Sequence, residues 1–172
     1  MRIALFGGTF NPVHYGHLLI AEAARQSQKL DRVVFTPAGI PPHKKRPHTS
    51  APHRLAMLRL AIRGNPAFTA SDWEIRQKRV VYTYETLEYF HGRWPQASLY
   101  FILGSDSLRL VPKWREPRRL RSLCRFIPHK RLPPFASHDI RRRVLKGMSI
   151  RYRVPEAVER YIRSRRLYRK PE

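Results

Sequence analysis

The 172-residue sequence predicts an α/β domain built around a central parallel sheet. Three observations carry this reading. Short apolar runs (RIALF at 2–6, RVVFTP at 32–37, SLYFIL at 98–103) alternate with longer stretches of helical periodicity, the pattern of βαβ units. Two of the runs stop at glycine, Gly7-Gly8 and Gly104, at the carboxyl ends of strands where such sheets bind ligands. Apolar residues make up 42% of the chain, enough for a real core, and the length matches the ~100–200 residues of a single domain. The expectation is one domain over 1–172, with 139–172 as a C-terminal helical subregion.

Arg2–Phe6 reads as a short buried strand, and His17–Ser27 (HLLIAEAARQS) as a helix with apolar positions at helical spacing. Arg32–Pro37 is the second strand. The loop AGIPPHKKRPHTSAP follows, and then the amphipathic stretch His53–Arg63. Phe68–Trp73 forms a further strand, Thr83–Phe90 a helix leading to Gly92, and Ser98–Leu103 the clearest central strand. A helix at Pro117–Leu123 precedes the strand Cys124–Ile127. The tail holds helices at Asp139–Lys146 and Pro155–Arg166, the second with proline in its first turn. There is no internal repeat, heptad seam or low-complexity tract.

Composition bounds the function. A single cysteine, Cys124, excludes an intramolecular disulfide and a cysteine-based zinc cluster. No apolar stretch approaches the ~20 residues of a membrane span, and MRIALFGG is too short for a secretory signal, so a cytoplasmic protein is expected. Against 12 acidic residues stand 35 basic ones, a net charge of +23, of which 27 are arginine. Residues 107–172 alone hold 21 basic and 5 acidic side chains. That basic third is a candidate for weak nucleic-acid binding, and a solvated surface is the plainer reading.

The most informative segment is GGTFNPVHYGHL, residues 7–18. Glycines directly after a strand let backbone N–H groups approach a ligand. His14 and His17, three residues apart at a helix mouth, share a face. Gly16 between them leaves room where a phosphate would press in. A helix N-terminus favours anions, and imidazoles there can donate to phosphoryl oxygens as charge develops. The segment is neither GxGxxG nor a P-loop.

HYGH (14–17) matches the HxGH signature of the nucleotidyltransferase superfamily, and GGTFNPVHYGHL resembles its bacterial nicotinate-nucleotide adenylyltransferase branch. The resemblance continues in order through PPHK (41–44), HRLAML (53–58), VYTYETL (81–87), GSDSL (104–108), PKWREP (112–117) and IRYRVPEAVERYI (150–162). It implies a Rossmann-like three-layer nucleotidyltransferase fold and the joining of ATP to nicotinate mononucleotide, with pyrophosphate released. ATP is then a substrate, and Mg²⁺ is held mainly by the substrate phosphates with no protein metal site.

By the same resemblance His14, His17, Lys44 and Arg141 stabilise the transferring phosphates. Gly7, Gly8, Thr9 and Phe10 line the nucleotide site, and Gly104, Ser105 and Asp106 form a turn that holds the nucleotide. Ser137 and Ile140 belong to the triphosphate-binding helix start. Tyr82 and Thr83 cradle the nicotinate, and Trp114 stacks on its ring.

Two departures stand out. The family's ISSTxIR motif is here FASHDIR (135–141), with Ala136 and His138 in place of two hydroxyl residues. Only six residues, HKRLPP, join RFIP to FASH, too few for the dozen or more that a parallel crossover needs. The sheet is therefore expected to be one strand short. Stretched at ~3.3–3.6 Å per residue, six residues span about 20 Å, enough for an extended link. Three alternatives stay open: the amide mononucleotide as substrate, a diverged homologue with poor turnover, and a polyanion-binding protein. Oligomeric state is not read from the sequence.

Overall fold

The computed structural model describes residues 1–41, 49–130, 132 and 135–169. Its strands are β1 (Arg2–Gly8), β2 (Arg32–Pro37), β3 (Phe68–Ala70), β4 (Ser98–Gly104) and β5 (Arg125–His129). All pair in parallel in the order β3-β2-β1-β4-β5. The helices are α1 (Tyr15–Ser27), α2 (Ala51–Ile62), α3 (Trp73–Arg76), α4 (Thr83–Arg93), α5 (Ser105–Leu108), α6 (Pro117–Leu123), α7 (Ser137–Leu145) and α8 (Glu156–Ser164), with a 3₁₀ turn at Val111–Lys113.

Parallel strands covered on both faces are apolar throughout, and Ile3, Ala4 and Leu5 in the middle strand are fully buried. Alternate residues then feed two cores. Ala4, Phe6, Val33, Phe35 and Ile102 pack under α1, α2, α7 and α8, through Ile20, Met57, Ile140 and Val158 among others. Ile3, Leu5, Val34 and Phe101 pack under α4 and α6, through Leu87, Phe90 and Leu120. The result is three layers. Full burial of Leu120 contributes on the order of 1.5–3 kcal/mol towards holding the short α6 in place.

Strand order reverses between β1 and β4, so the carboxyl ends of these two strands flank the switch point. The expected five strands are present, and the sheet ends at β5 among the described residues. Pro128 offers no N–H there and Arg125 is exposed; both blunt an edge against further pairing.

Some bounds differ from the sequence reading. The third strand stops at Ala70, because Ser71 Oγ accepts the Trp73 N–H (3.2 Å) and turns the chain into the short helix that begins at Trp73. Helix α4 runs through Gly92 to Arg93. No helix among the described residues is long and apolar enough to cross a membrane.

Candidate active site

The chain leaves β1 at Gly8 and enters α1 at His14, which is the N-cap in extended conformation (φ −148°, ψ 168°). Histidine is an unusual cap, and a reciprocal arrangement makes it work. His14 Nδ1 accepts the N–H of His17 (3.3 Å), and His17 Nδ1 accepts the N–H of His14 (3.2 Å). Each ring thus uses Nδ1 as an acceptor, which in the neutral imidazole places the proton on Nε2. The rings stack with centroids 3.6 Å apart. Burial pushes the His14 pKa down to about 4, so this ring is neutral near pH 7 and donates without carrying charge. Phe10 meets the His17 ring edge-on at 5.0 Å.

The loop between Gly8 and His14 is held from several directions. Phe10, 2% exposed, takes a left-handed φ of 48° and lays its ring over Gly8. A Cβ on Gly8 would come within 2.9 Å of that ring, so any side chain there would push the Phe10 ring out of place. Ser137 Oγ donates to the Pro12 carbonyl (2.8 Å), and Arg141 donates to the Asn11 carbonyl (2.7 Å). The start of α7 therefore sits against the histidine loop, although Ala136 supplies no side-chain cap. Ile140 is fully buried in the same core cluster as Phe10 and Val13 of the loop, and anchors α7 there. Gly16 differs from expectation: the space its missing side chain leaves is filled by Phe135, whose Cβ would lie 2.7 Å from an added Cβ, and by the His14 ring.

Tyr168 was not singled out in the sequence. Its buried hydroxyl donates to Asn11 Oδ1 (2.7 Å), and burial raises its pKa to about 12. The Tyr168→Phe variant leaves the buried Asn11 oxygen without this donor. A stability loss of about 1–2 kcal/mol is expected in urea unfolding; an unchanged midpoint would show that water replaces the tyrosine.

The second strand end holds the other predicted residues. Gly104 closes β4, and its bare Cα accommodates the Asp106 carboxylate, which would lie 2.4 Å from an added Cβ. Asp106 accepts the Ser107 N–H (3.0 Å), and Ser105 donates to the His129 carbonyl (3.0 Å) on β5. Across the switch point, Phe101 reaches over Gly7 and meets the half-buried Trp114 at 6.4 Å. The guanidinium of Arg115 lies 4.2 Å from the centre of the Tyr82 ring. Glu85 accepts the Tyr82 N–H (2.8 Å), and Thr83 opens α4. Lys44 lies outside the described residues.

A buried pair behind the histidine loop was also missed. Arg54 is fully buried and donates to the Thr9 (2.8 Å), Ala38 (2.6 Å) and Gly39 (3.1 Å) carbonyls. Desolvation lowers its pKa. Glu74 accepts the Thr86 hydroxyl (2.8 Å), and burial raises its pKa to about 7 despite the opposing pull of Arg54. An arginine in the apolar periodicity of HRLAML was the available signal.

A cytidylyltransferase-like family model matches residues 5–160. A protein of Thermomicrobium roseum named as a probable nicotinate-nucleotide adenylyltransferase is 41% identical, over 99% of this chain and 93% of its own length. The chain belongs to the nicotinate-nucleotide adenylyltransferase family. A relative of the same name from Desulfitobacterium hafniense is 41% identical over 98% of this chain and 96% of its own.

Among solved structures, the family fold recurs in a Plasmodium falciparum nicotinic acid mononucleotide adenylyltransferase complexed with NaAD. Its TM-score is 0.78 at 18% identity, covering 97% of each chain. A Vibrio parahaemolyticus protein assigned to the same enzyme class superposes with a TM-score of 0.83 at 24% identity, covering 99% of this chain and 98% of its own. The Thermomicrobium alignment runs over 199 positions against 172 residues here, so at least 27 positions are filled only in that relative. A shortened link after β5 accords with that difference.

Proposed function

We propose that the protein transfers the adenylyl group of ATP to nicotinate mononucleotide, giving nicotinate adenine dinucleotide and pyrophosphate. The observation that carries this reading is the reciprocal His14–His17 pair at the end of β1. An oxygen of the mononucleotide phosphate, already ionised at neutral pH, forms a bond to the α-phosphorus. The bond from that phosphorus to the bridging oxygen breaks, and pyrophosphate leaves with the electron pair. No strong base is needed, so positioning and charge stabilisation supply the catalysis.

In this reading the Nε2–H groups of both histidines donate to phosphoryl oxygens as charge moves onto them. Gly7, Gly8, Thr9 and Phe10 line the ATP side, and Gly104, Ser105 and Asp106 hold the nucleotide at the end of β4. Ser137, Ile140 and Arg141 set the start of α7 against the histidine loop, and Lys44 adds positive charge near the phosphates. Among the described residues no group of three or more His, Cys, Asp or Glu is placed to hold a metal. Mg²⁺ would enter as an ion carried in on the triphosphate, where it would neutralise phosphate charge.

Tyr82, Thr83 and Trp114 take the pyridine ring. The Trp114→Ala variant should raise KM for nicotinate mononucleotide about 10-fold, the worth of roughly 0.5–1.5 kcal/mol of ring contact plus lost apolar burial. KM for ATP should stay within about 2-fold. Equal rises in both would place Trp114 in the scaffold.

The deciding experiment supplies ATP, Mg²⁺ and either nicotinate or nicotinamide mononucleotide, and follows pyrophosphate and dinucleotide. Turnover of the acid substrate, reduced about 10²–10³-fold in a His17→Ala control, is expected. Absence of product from both substrates would overturn the reading.

A further inference from the structure

Arg54 needs an explanation that stability does not supply. A guanidinium taken wholly out of water carries a desolvation penalty, and an apolar side chain of similar volume commonly serves a core as well or better. Arg54 is the largest fully buried side chain described. It rises from the first turn of α2, in the layer that covers β1 and β2.

Its three acceptors identify what it does. Thr9 lies one residue past the end of β1, and Ala38 and Gly39 lie just past the end of β2. The two strands are hydrogen-bonded neighbours, with Gly8 paired to Pro37 and the Ala38 N–H donating to the Gly8 carbonyl (2.9 Å). Beyond that point the two segments separate. One becomes the Phe10 turn and the histidine loop. The other leads past Gly39, whose Cα is pressed so close to the Glu74 carbonyl that an added Cβ would lie 2.6 Å from it. Three carbonyls thus point into one buried space, and buried carbonyls require donors. A planar fork with several N–H groups on one rigid frame meets that demand, and a lysine ammonium on a flexible stem does not hold the same geometry.

We infer that Arg54 is a positioning residue for the ATP site. It sets the distance between the segments leaving β1 and β2, and through the Thr9 carbonyl it fixes the backbone from Gly8 to Phe10. The three carbonyl dipoles, each aimed at the fork, supply the partial negative charge that offsets the guanidinium there. The inference rests on the adenylyltransferase reading for the identity of the nucleotide. Its consequence for nucleotide binding is measurable without turnover.

The test uses Arg54→Lys, Arg54→Met and the double variant Arg54→Met with Glu74→Gln. The double variant removes both charges but leaves the three carbonyls without a donor. Arg54→Lys keeps a donor there and decides the question if the methionine variants do not fold. Three quantities are measured: folded stability, KM for each substrate, and calorimetric affinity for the non-hydrolysable α,β-methylene analogue of ATP. In Arg54→Lys and in the double variant, affinity for the analogue is expected to fall at least 10-fold, and KM for ATP to rise in parallel. KM for the mononucleotide should stay within about 3-fold, with Arg54→Lys less impaired than the double variant. A purely structural role predicts folded variants that bind the analogue as the wild type does, or that lose both substrates equally; either result overturns the inference. If the wild type makes no dinucleotide but binds the analogue, the functional reading fails and the analogue affinities still decide the role of Arg54.

Discussion

The His17→Ala variant should lose about 10²–10³ in kcat, the usual effect of removing one preorganised donor to a developing oxyanion. Because the lost interaction forms as charge develops, kcat and kcat/KM should fall together. Alanine, however, removes two things at once, since His17 Nδ1 also accepts the His14 N–H in the reciprocal cap. Loss of a cap costs about 0.5–2 kcal/mol of stability.

Two further variants separate the roles. In His17→Asn the amide oxygen occupies the region of Nδ1 and can keep the cap, but nothing reaches the position of Nε2. Its unfolding midpoint should stay near wild type while kcat stays about 10²-fold down. In His17→Gln the amide nitrogen reaches further and can restore part of the donation while the cap is lost. A His17→Asn protein with wild-type kcat would reduce the pair to a helix cap.

The second large effect is in stability against pH, where two buried groups oppose each other. His14 has a folded pKa of about 4, well below the ordinary histidine value of 6.5. Above pH 6.5 it is neutral in both states and contributes no pH dependence. Between 6.5 and 4 the unfolded chain binds a proton here that the folded protein does not, so stability falls as pH falls. Glu74 runs the other way, with a folded pKa of about 7 against an ordinary glutamate value of 4.5. Below 4.5 it is protonated in both states. Between 4.5 and 7 the folded protein keeps a proton that the unfolded chain releases, so stability falls as pH rises.

Each slope is about 1.4 kcal/mol per pH unit, so the two cancel between roughly pH 4.5 and 6.5. The Glu74→Gln variant removes one side of the balance. Relative to wild type, its stability should rise by about 3 kcal/mol from pH 4.5 to 6.5. The His14→Asn variant, which retains a capping side chain, should fall by about the same amount over that range. Urea unfolding at three pH values reads both. A difference curve for Glu74→Gln that stays flat would mean that Glu74 is ionised in the folded state throughout.

Much of the fold was legible because its signals are local. Buried parallel strands read as unbroken apolar runs, and Gly7-Gly8 and Gly104 mark their ends. The histidine pair was visible as a spacing, and the glycines around it as a place where backbone must come close. What escaped depends on contacts between distant segments. Nothing near Tyr168 announces that its hydroxyl meets Asn11, 157 residues away. Arg54 sits in an ordinary amphipathic pattern, and only the convergence of three carbonyls from two loops shows why it is charged. Gly16 taught the same lesson in reverse, since its open side was assigned to a ligand and is filled by Phe135. Phe68–Trp73 read as one strand, but its apolar alternation ends at Ala70, and Ser71 Oγ accepts the Trp73 N–H where a short helix begins.

The contact between Tyr168 and Asn11 also orders events during synthesis. The ribosome makes the Asn11 segment early and must add 157 further residues before its tyrosine partner exists. A nascent chain can assemble β1 and both histidines while this anchor of their loop is still unmade. Products of premature termination that stop before Tyr168 therefore carry every histidine and glycine of the HYGH segment without the loop as it is finally held. The loop in its final form thus depends on a contact between segments far apart in the chain, and a fragment lacking Tyr168 carries the residues of the segment without this hold on them.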